Sequence, residues 1–432
     1  KQVDWETALN LVATKLRAQA FSLGVLASAS STTEELYLLG RIARGLGTSN
    51  IDHRLRQRDF RDQAADPAYP TLGLAIADIE KLDSLLLIGA NIRKEAPVLA
   101  HRVRKAARRG AKVSFVNPAR FDYLFPVAAY LESSAATQVA ELAAILSAAS
   151  EGGAAQVPAH LSASVRDAKV SDEHRAIATN LRSGEKRAVI LGALALRNSA
   201  YADLRALASA IAQATGASFG VLAEGGNAAG AFIAGAVPHR EAGGRAAANP
   251  GLSSAEMLSK ALGAYVLFGG VEPWIDALDS EVARTLASSG FVVAITPFES
   301  AQLRDVAHVM LPIGTYVETS GTYVNLEGKW QSYAGAVAPL GEARPGWKVL
   351  RVLGNLLNLT GFEYQTSEDV REELRSAAGE PATNSYAGTH TVNGAPVSVP
   401  VVDLNMYQSD ALVRRAPSLQ KTREGRTPPA HY

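Results

Sequence analysis

The stretch GTYVNLEGKWQ, residues 321–331, has the residue types of a loop that binds nucleotide phosphates. Such a loop needs four residues between its glycines, then a lysine and a hydroxyl residue that holds magnesium. Here six residues separate Gly321 from Gly328, and Trp330 follows Lys329. Both the backbone cradle and the metal ligand are missing. The stretch is therefore not predicted to bind a nucleotide.

No other spacing predicts a reaction centre. The chain lacks the dinucleotide fingerprint G-x-G-x-x-G, the hydrolase elbow G-x-S-x-G, and an S-x-x-K nucleophile in a usable context. It also lacks cysteine, which removes disulfides, thiolate nucleophiles and cysteine-held zinc or iron–sulfur clusters from this segment. The eight histidines are scattered, without an H-x-x-x-H pair. The sequence thus predicts no catalytic residue and no metal ligand.

Composition indicates a soluble globular protein. The 432 residues are 47% hydrophobic and 20% charged, which suits two or three packed units. A net charge of +1 gives no overall field for nucleic acid or anionic lipid. The longest apolar runs, such as residues 85–90, are strand-sized, whereas a membrane span needs about 18 residues. Because the chain starts at Lys1 without a signal-peptide pattern, we expect a piece of a longer protein.

The first elements are a buried strand and an amphipathic helix. Residues 23–28 form an apolar, strand-length run. Ser31 or Thr32 is predicted to cap the following helix, with Glu34 or Glu35 as the capping-box partner. Gly47 ends this helix, and its buried stripe comprises Leu36, Leu39, Ala43 and Leu46.

The pattern returns as strand 84–90, a helix that ends at Gly110, and strand 111–116, which together make a parallel-sheet unit. The inward face of this helix is predicted to comprise Val98, Leu99, Val103 and Ala106. Its cations are Arg102, Arg104, Lys105, Arg108 and Arg109. They occupy the second half of the helix, where positive charge complements the macrodipole, and no aromatic residue is interleaved. A solvated face is favoured over a nucleic-acid patch.

An alanine- and serine-rich segment, residues 131–170, indicates entry into a second unit. This unit is predicted to contain helices over 172–182 and 200–216 and strands over 187–193 and 218–223. It ends in a glycine- and alanine-rich loop over 224–251 with no regular period.

A third run contains predicted strands 264–270, 290–296 and 307–312, with a helix over 276–288. We expect these strands to extend the sheet of the first run. The predicted domains are therefore a discontinuous first lobe of residues 1–125 and 255–345, an inserted lobe of 126–254, and an extension of 346–432. The extension carries helices over 346–359 and 368–378, a possible strand over 395–402, and a basic end.

Residues 296–331 resemble the signature of the molybdopterin oxidoreductase superfamily, in which A-D-V-V-L-P precedes E-x-x-G-T-x-x-N-x-E-G-R. The matching positions are Glu299, Ala307, Val309, Leu311, Pro312, Glu318, Gly321, Thr322, Asn325, Glu327 and Gly328. His308 replaces the usual aspartate, and Lys329 replaces arginine. Residues 87–118 resemble the superfamily's G-x-N-P loop, with Ile92 at the proline position.

Three further stretches, residues 50–60, 339–359 and 407–422, are similar to the family of large iron–sulfur subunits of bacterial NADH:quinone oxidoreductase, respiratory complex I. The resemblance covers nearly the whole chain. It implies an α/β fold like domains II and III of the formate dehydrogenase and DMSO reductase superfamily, with two doubly wound, Rossmann-like lobes of parallel sheet, one inserted in the other. It also implies a position on the cytoplasmic face of the bacterial inner membrane, among the other subunits of the peripheral arm.

The resemblance implies that iron–sulfur clusters lie in an N-terminal part outside this segment, and that the segment is a non-catalytic scaffold without a cofactor of its own. The alternative is an active molybdopterin oxidoreductase core, because metal can also be held through serine or aspartate; Ser133 and Ser134 cannot be aligned as such ligands. A free-standing nucleotide-binding module fails on its missing fingerprints. The vestigial pterin-type positions are Gly89, Asn91, Glu299, Gly321 and Asn325.

Each vestigial position also has a structural interpretation. Gly89 would allow close backbone approach, Asn91 would cap a helix, and Glu299 would hydrogen-bond in a loop. Gly321 is expected at positive φ or against a neighbouring backbone, in a turn and strand that run to Gln331.

The basic end of the chain is the last candidate site. Its cations are Arg414, Arg415, Lys421, Arg423 and Arg426, with Leu412, Val413 and Leu419 interleaved. Apolar residues between cations near a chain end are typical of an interface rim, where charge guides association. A disordered, solvated tail is the open alternative, since prolines such as Pro417 discourage regular structure.

Overall fold

The computed structural model describes residues 1–153, 155–378, 384–392 and 400–432. The chain forms two compact units, and each is discontinuous in sequence. Unit 1 comprises Lys1–Arg56, Gly225–Thr383 and Ser409–Pro417. Unit 2 comprises Gln57–Glu224, Asn384–Gln408 and Ser418–Tyr432.

The strands are β1 (Leu23–Ala27), β2 (Ile51–Asp52), β3 (Ser84–Ile88), β4 (Lys112–Asn117), β5 (Ala129–Glu132), β6 (Arg187–Leu191), β7 (Ser218–Val221), β8 (Ala264–Phe268), β9 (Phe291–Thr296), β10 (Val309–Pro312), β11 (Gly321–Val324), β12 (Trp330–Tyr333), β13 (Val402–Asp403) and β14 (Ala430–His431). The helices are α1 (Trp5–Ala18), α2 (Thr33–Gly45), α3 (Ile92–Glu95), α4 (Pro97–Arg108), α5 (Gln138–Ser150), α6 (Ser162–Arg166), α7 (Asp172–Leu181), α8 (Ala193–Leu196), α9 (Tyr201–Thr215), α10 (Ala228–Ile233), α11 (Ser254–Leu258), α12 (Pro273–Asp276), α13 (Val282–Ala287), α14 (Ala301–Val306), α15 (Gly346–Leu356), α16 (Ser367–Ala378), α17 (Pro417–Gln420) and α18 (Arg423–Arg426).

Unit 1 is built on a five-stranded parallel sheet in the order β10-β9-β8-β1-β2. Val266 of β8 sits in register between Val25 of β1 and Val293 of β9. Every residue of β1, β8 and β9 is buried, as expected for a parallel sheet covered on both faces. The antiparallel hairpin β11–β12 also belongs to this unit.

Unit 2 has its own five-stranded parallel sheet, in the order β5-β4-β3-β6-β7. Ile88 of β3 pairs with Val116 on one side and with Leu191 on the other. One face packs on α5 and α9, whose apolar residues fill the core between helix and sheet. The predicted fold class, an α/β fold with two lobes of parallel sheet, is confirmed, although each unit is assembled from three segments of the chain.

The predicted sheet membership is wrong. The prediction put strands 84–90 and 111–116 in one sheet with 264–270 and 290–296, yet β3 pairs directly with β6. The chain leaves unit 1 after Arg56 and returns at Gly225, so the predicted domain boundaries at 125 and 255 are corrected. A strand–helix–strand pattern fixes a parallel pair but does not specify which sheet the pair joins. The alanine-rich segment predicted as a boundary holds α5, a core helix of unit 2.

Local predictions have two further corrections. Val98, predicted to face inward, is 74% exposed, because the buried face of α4 follows the spacing of Leu99, Val103 and Ala106. The stretch 224–251, predicted as an irregular loop, contains the buried helix α10. Most of the possible strand over 395–402 lies outside the described residues.

The predicted C-terminal extension is not a separate body. Helices α15 and α16 belong to unit 1, as do residues 409–417, while residues 384–408 and 418–432 belong to unit 2. In the described part of the chain, no helix combines the length and apolarity needed to cross a bilayer.

Candidate functional site

The candidate site of unit 1 lies where β1 ends and α2 begins. Thr32 caps α2: its hydroxyl accepts a hydrogen bond from the Glu35 amide at 3.2 Å. The Glu35 carboxylate in turn accepts from the Thr32 amide at 2.9 Å. Of the predicted alternatives, Thr32 and Glu35 are thus the capping box. These two side chains satisfy amides that a helix N-terminus otherwise presents to an anion.

Glu34, the neighbouring carboxylate, reaches the hairpin instead. Its Oε2 accepts from the Thr322 amide at 2.8 Å, and its Oε1 accepts from the Thr322 hydroxyl at 2.6 Å. Glu34 is 1% exposed, and burial raises its pKa to about 7 even though these hydrogen bonds favour the charged form. The first turn of α2 is therefore tied to β11 through a buried carboxyl group.

Gly321 makes this approach possible, although not in the predicted way. It does not adopt positive φ, and its nearest neighbour is a side chain, not a backbone. A Cβ at this position would lie 2.7 Å from the Cβ of Thr32, below any normal contact. Glycine is thus required by the closeness of β11 to the capping threonine.

Asn227 completes the connection and was missed by the sequence analysis. Its amide nitrogen donates to the Ser31 carbonyl at 2.8 Å, and its amide oxygen accepts from the Val324 amide at 2.8 Å. Asn227 is fully buried at the start of α10. Asn227 lies in the stretch that was predicted to be irregular. The one sequence signal that could have identified it is a polar amide side chain within a segment of small and apolar residues.

A cleft of about 520 Å³, including space open to solvent, lies beside this helix N-terminus. Its wall is rich in hydroxyl groups and holds two carboxylates, those of Glu35 and Asp410. Tyr323, also in the wall, donates to the Ser30 carbonyl at 2.8 Å. The lining residues are Ser28, Ser30, Ser31, Thr32, Glu35, Gly269, Pro297, Phe298, Ile313, Gly314, Thr315, Tyr316, Thr319, Tyr323, Asp410, Ala411 and Leu412. None of these described lining residues is a lysine or arginine.

Residues 410–412 reach the cleft because the next two arginines anchor the segment. Arg414 pairs with Glu272 and Asp276, each at 2.8 Å, and only 5% of its side chain is exposed. Arg415 also pairs with Glu272 at 2.8 Å and lies over the Phe298 ring. The prediction that the basic run is a docking rim is therefore wrong for these two residues, which pair within unit 1.

The other vestigial positions have local roles. Gly89 has φ +59°, and a Cβ there would lie 2.9 Å from the Cα of Ala195 and still closer to its amide nitrogen, which confirms the predicted close backbone approach. Asn91 precedes α3, but its side chain donates to Asp403 at 3.0 Å instead of capping the helix. These two positions lie in unit 2.

Glu299 and Asn325 lie in unit 1, as does Gly321. The Glu299 carboxylate is largely exposed and pairs with Arg304. The Asn325 side chain accepts from the amides of Glu327 and Lys329, at 2.9 and 3.0 Å, and so closes the turn between β11 and β12. The predicted turn and strand are confirmed.

The serines considered as ligands lie at the end of β5. The Ser134 hydroxyl contacts the Thr137 hydroxyl at 3.1 Å, and Ser133 is buried. Within residues 1–153, 155–378, 384–392 and 400–432, no three histidine, aspartate or glutamate side chains converge as metal ligands.

A family model described as molybdopterin oxidoreductase matches residues 1–356. The chain belongs to the molybdopterin oxidoreductase family. It is 30% identical over 413 residues to the G subunit of the NADH-quinone oxidoreductase of Mycobacterium bovis, covering 91% of this chain and 48% of that protein. It is 26% identical to the F420-dependent formate dehydrogenase subunit alpha of Methanocaldococcus jannaschii, covering 87% of this chain and 63% of that one. The chain thus spans about half to two thirds of the length of these relatives.

Among solved structures, acetylene hydratase from Pelobacter acetylenicus superimposes with a TM-score of 0.62 at 15% identity, covering 85% of this chain and 60% of that one. The formyltransferase/hydrolase complex from Methylorubrum extorquens gives a TM-score of 0.55 at 16% identity, covering 83% of this chain and 97% of that one. At these identities the likeness shows the fold alone.

The pterin nucleotide implied by this family is an anion, and the sheet end of unit 1 does not fit it. An anion at a helix N-terminus uses free amides and is helped by a lysine or arginine. Here the Thr32 and Glu35 amides already bond to the capping-box side chains, and Glu34 is buried beside them. The cleft that opens here presents carboxylates and hydroxyls.

Unit 2 shows the same arrangement at the carboxyl end of its own sheet. The Ala193 amide, at the start of α8, donates to the Glu95 carboxyl group at 2.7 Å. Burial raises the pKa of Glu95 to about 8. The nearby Arg197 guanidinium pairs with Glu224 and donates to the Val402 carbonyl at 2.7 Å. The Arg197 guanidinium is thus already paired within unit 2.

Proposed function

We propose that this chain is a non-catalytic scaffold region of the large iron–sulfur subunit of an NADH:quinone oxidoreductase. The observation that carries the proposal is the first turn of α2, where Glu35 already accepts the hydrogen bond of the Thr32 amide and the neighbouring Glu34 is buried against Thr322. The 30% identity to the mycobacterial NADH-quinone oxidoreductase protein, over 91% of the chain, supports the assignment to that complex.

The hydrogen bonds of this turn oppose a bound phosphate. A phosphate at the start of α2 would have to displace the hydrogen bond that the Thr32 amide donates to Glu35. Burial already raises the pKa of Glu35, and a phosphate beside it would raise that pKa further. Binding of an anionic cofactor at this point is therefore disfavoured.

In this proposal the clusters that carry electrons lie in a part of the subunit outside the segment. The segment's role is mechanical: it packs against the cluster-bearing region and against neighbouring subunits of the peripheral arm, on the cytoplasmic face of the membrane. Electron transfer from NADH to quinone then depends on the segment through assembly and not through chemistry.

An active molybdopterin oxidoreductase is the second candidate. It is favoured by the formate dehydrogenase relatives, such as the methanogen protein at 26% identity, which covers 87% of this chain. In that case the cofactor would have to bind although the Thr32 and Glu35 side chains already cap the helix N-terminus.

Growth of the native host without molybdate and with added tungstate separates the two proposals. A scaffold role predicts that NADH-driven quinone reduction in isolated membranes is unchanged, and that the full-length subunit is present in normal amount. Loss of an oxidoreductase activity of the purified full-length subunit, restored by molybdate, would refute the scaffold role. A known molybdoenzyme of the same host serves as the positive control for depletion.

A further inference from the structure

Unit 2 exposes an apolar segment in the connection between β4 and β5. Leu124 is 61% exposed and Val127 is 37% exposed, with Pro126 and Ala128 also exposed. We name residues 124–128 the apolar projection. Leu124 has φ +58°, a backbone conformation that is uncommon for a leucine and that persists only when surrounding contacts fix it.

The projection is held in place by its neighbours. The Phe125 ring stacks on Tyr123 at 5.6 Å, and Tyr123 stacks on Phe115 of β4 at 3.9 Å. The Leu124 amide donates to the Asp122 side chain at 3.1 Å, and the Leu124 carbonyl accepts from the Arg104 side chain at 3.4 Å. An exposed leucine on a fixed, strained backbone costs free energy without stabilising the unit, which points to a role outside it.

Basic side chains border the projection. Arg93 donates to the Asp122 carbonyl at 2.5 Å, and Arg104 contacts Leu124 as described. Arg108 lies one turn beyond Arg104 on α4 and is exposed. Lys112 is also exposed. The next residue, Val113, accepts a hydrogen bond from the Ala128 amide at 2.8 Å, which brings Lys112 close to the projection. We name these four cations the basic rim; Asp122 is the single acidic residue between β4 and β5.

We propose that the apolar projection and the basic rim dock a separate protein subunit whose facing surface has an apolar centre bordered by carboxylates. Apolar residues that bury at the centre and arginines at the edge are typical of protein–protein interfaces. A second copy of this chain is a poor match, because a twofold interface would place the basic rim against itself. An anionic membrane would not need a leucine fixed at positive φ. This inference rests on the proposed scaffold function, which supplies the neighbouring subunit.

Site-specific photo-crosslinking identifies the occupant directly. A photo-reactive phenylalanine analogue is placed at position 124 of the full-length subunit, and the assembled complex is irradiated and digested. The expected product joins position 124 to a peptide of another subunit that contains aspartate or glutamate. Crosslinking only to a second copy, to lipid, or to a part of the same polypeptide would overturn the proposal. The same analogue at Glu185, an exposed polar position in unit 2, controls for reaction with any exposed surface.

Charge reversal tests the rim independently. Arg104→Glu with Arg108→Glu is expected to lower the fraction of subunit recovered in the complex at least tenfold, while Arg104→Lys with Arg108→Lys retains most of it. Added salt should weaken wild-type association in the same direction. Recovery of both variants at the wild-type level would overturn the proposal. Circular dichroism verifies that each variant is folded. Molybdenum depletion tests the scaffold function separately, and it does not change the recovery of the variants in the complex.

Discussion

Replacing Glu34 with glutamine should stabilise unit 1 at high pH. The folded-state pKa of Glu34 is about 7, above its ordinary value of 4.5, because burial disfavours the carboxylate. A raised folded pKa gives stability that is fully present below about pH 4.5 and is lost as pH rises through about 7. Glutamine imitates the protonated acid: its oxygen can accept the Thr322 amide and its nitrogen can donate to the Thr322 hydroxyl.

The size of the effect follows from the pKa difference. A shift from 4.5 to about 7 spans about 2.5 pKa units, and each unit is worth about 1.4 kcal/mol, so ionisation of Glu34 costs unit 1 about 3 kcal/mol at pH 8. At pH 5 the same relation gives a cost of less than about 1 kcal/mol for the ionisation of Glu34. The advantage of the glutamine variant should therefore grow by about 2 to 3 kcal/mol between pH 5 and pH 8.

Urea unfolding followed by tryptophan fluorescence measures this difference. All four tryptophans, Trp5, Trp274, Trp330 and Trp347, belong to unit 1, so their emission reports the unfolding of that unit. Glu363→Gln, at an exposed position of unit 1, is the matched control and should show no pH-dependent gain. If Glu34→Gln is only as stable as wild type at pH 8, or less stable, then burial does not raise the pKa of Glu34 and the reasoning is refuted.

Three other predictions concern unit 1. Gly321→Ala should lower its unfolding free energy by about 1 to 3 kcal/mol, because the new methyl group overlaps Thr32, and the added change Thr32→Ser should recover part of the loss in the same urea assay. Arg414→Met should cost about 1 to 3 kcal/mol, because Glu272 and Asp276 both lose a buried partner while Glu272 keeps Arg415. No measurable change would contradict the anchoring role. Burial lowers the pKa of His53 to about 4, so the stability it contributes is present above about pH 6.5 and is lost as pH falls toward 4; His53→Gln should flatten that slope.

The sequence predicted many of the elements, although not the helices α1 and α10, and it did not predict their assembly. Strands such as β3 and β6 were recognisable as short apolar runs, because a buried parallel strand must be apolar on both faces. Their direct pairing was not predictable, since any parallel strand with a helical crossover can join either sheet and long-range packing decides. The prediction of two α/β lobes was correct. The chain leaves unit 1 after Arg56 and returns at Gly225, which differs from the predicted boundaries.

The candidate site was predictable only in part. The capping box at Thr32 follows from local spacing alone, and so was among the predicted alternatives. The contact of Glu34 with Thr322 joins residues 288 positions apart, which no local pattern encodes. Gly321 was correctly singled out, but the reason for a glycine there is the Thr32 side chain, visible only once β11 and α2 are packed together.

The most direct test of the scaffold role is the cofactor content of the full-length subunit purified from its native host. Molybdenum and tungsten are measured by mass spectrometry, and pterin by the fluorescence of its oxidised derivative, each per polypeptide and beside a molybdoenzyme of known content. We predict that all three are far below one per chain, because the start of α2 holds two buried carboxyl groups, Glu34 and Glu35, whose hydrogen bonds are already made within unit 1. About one metal and one or two pterins per chain would contradict this prediction.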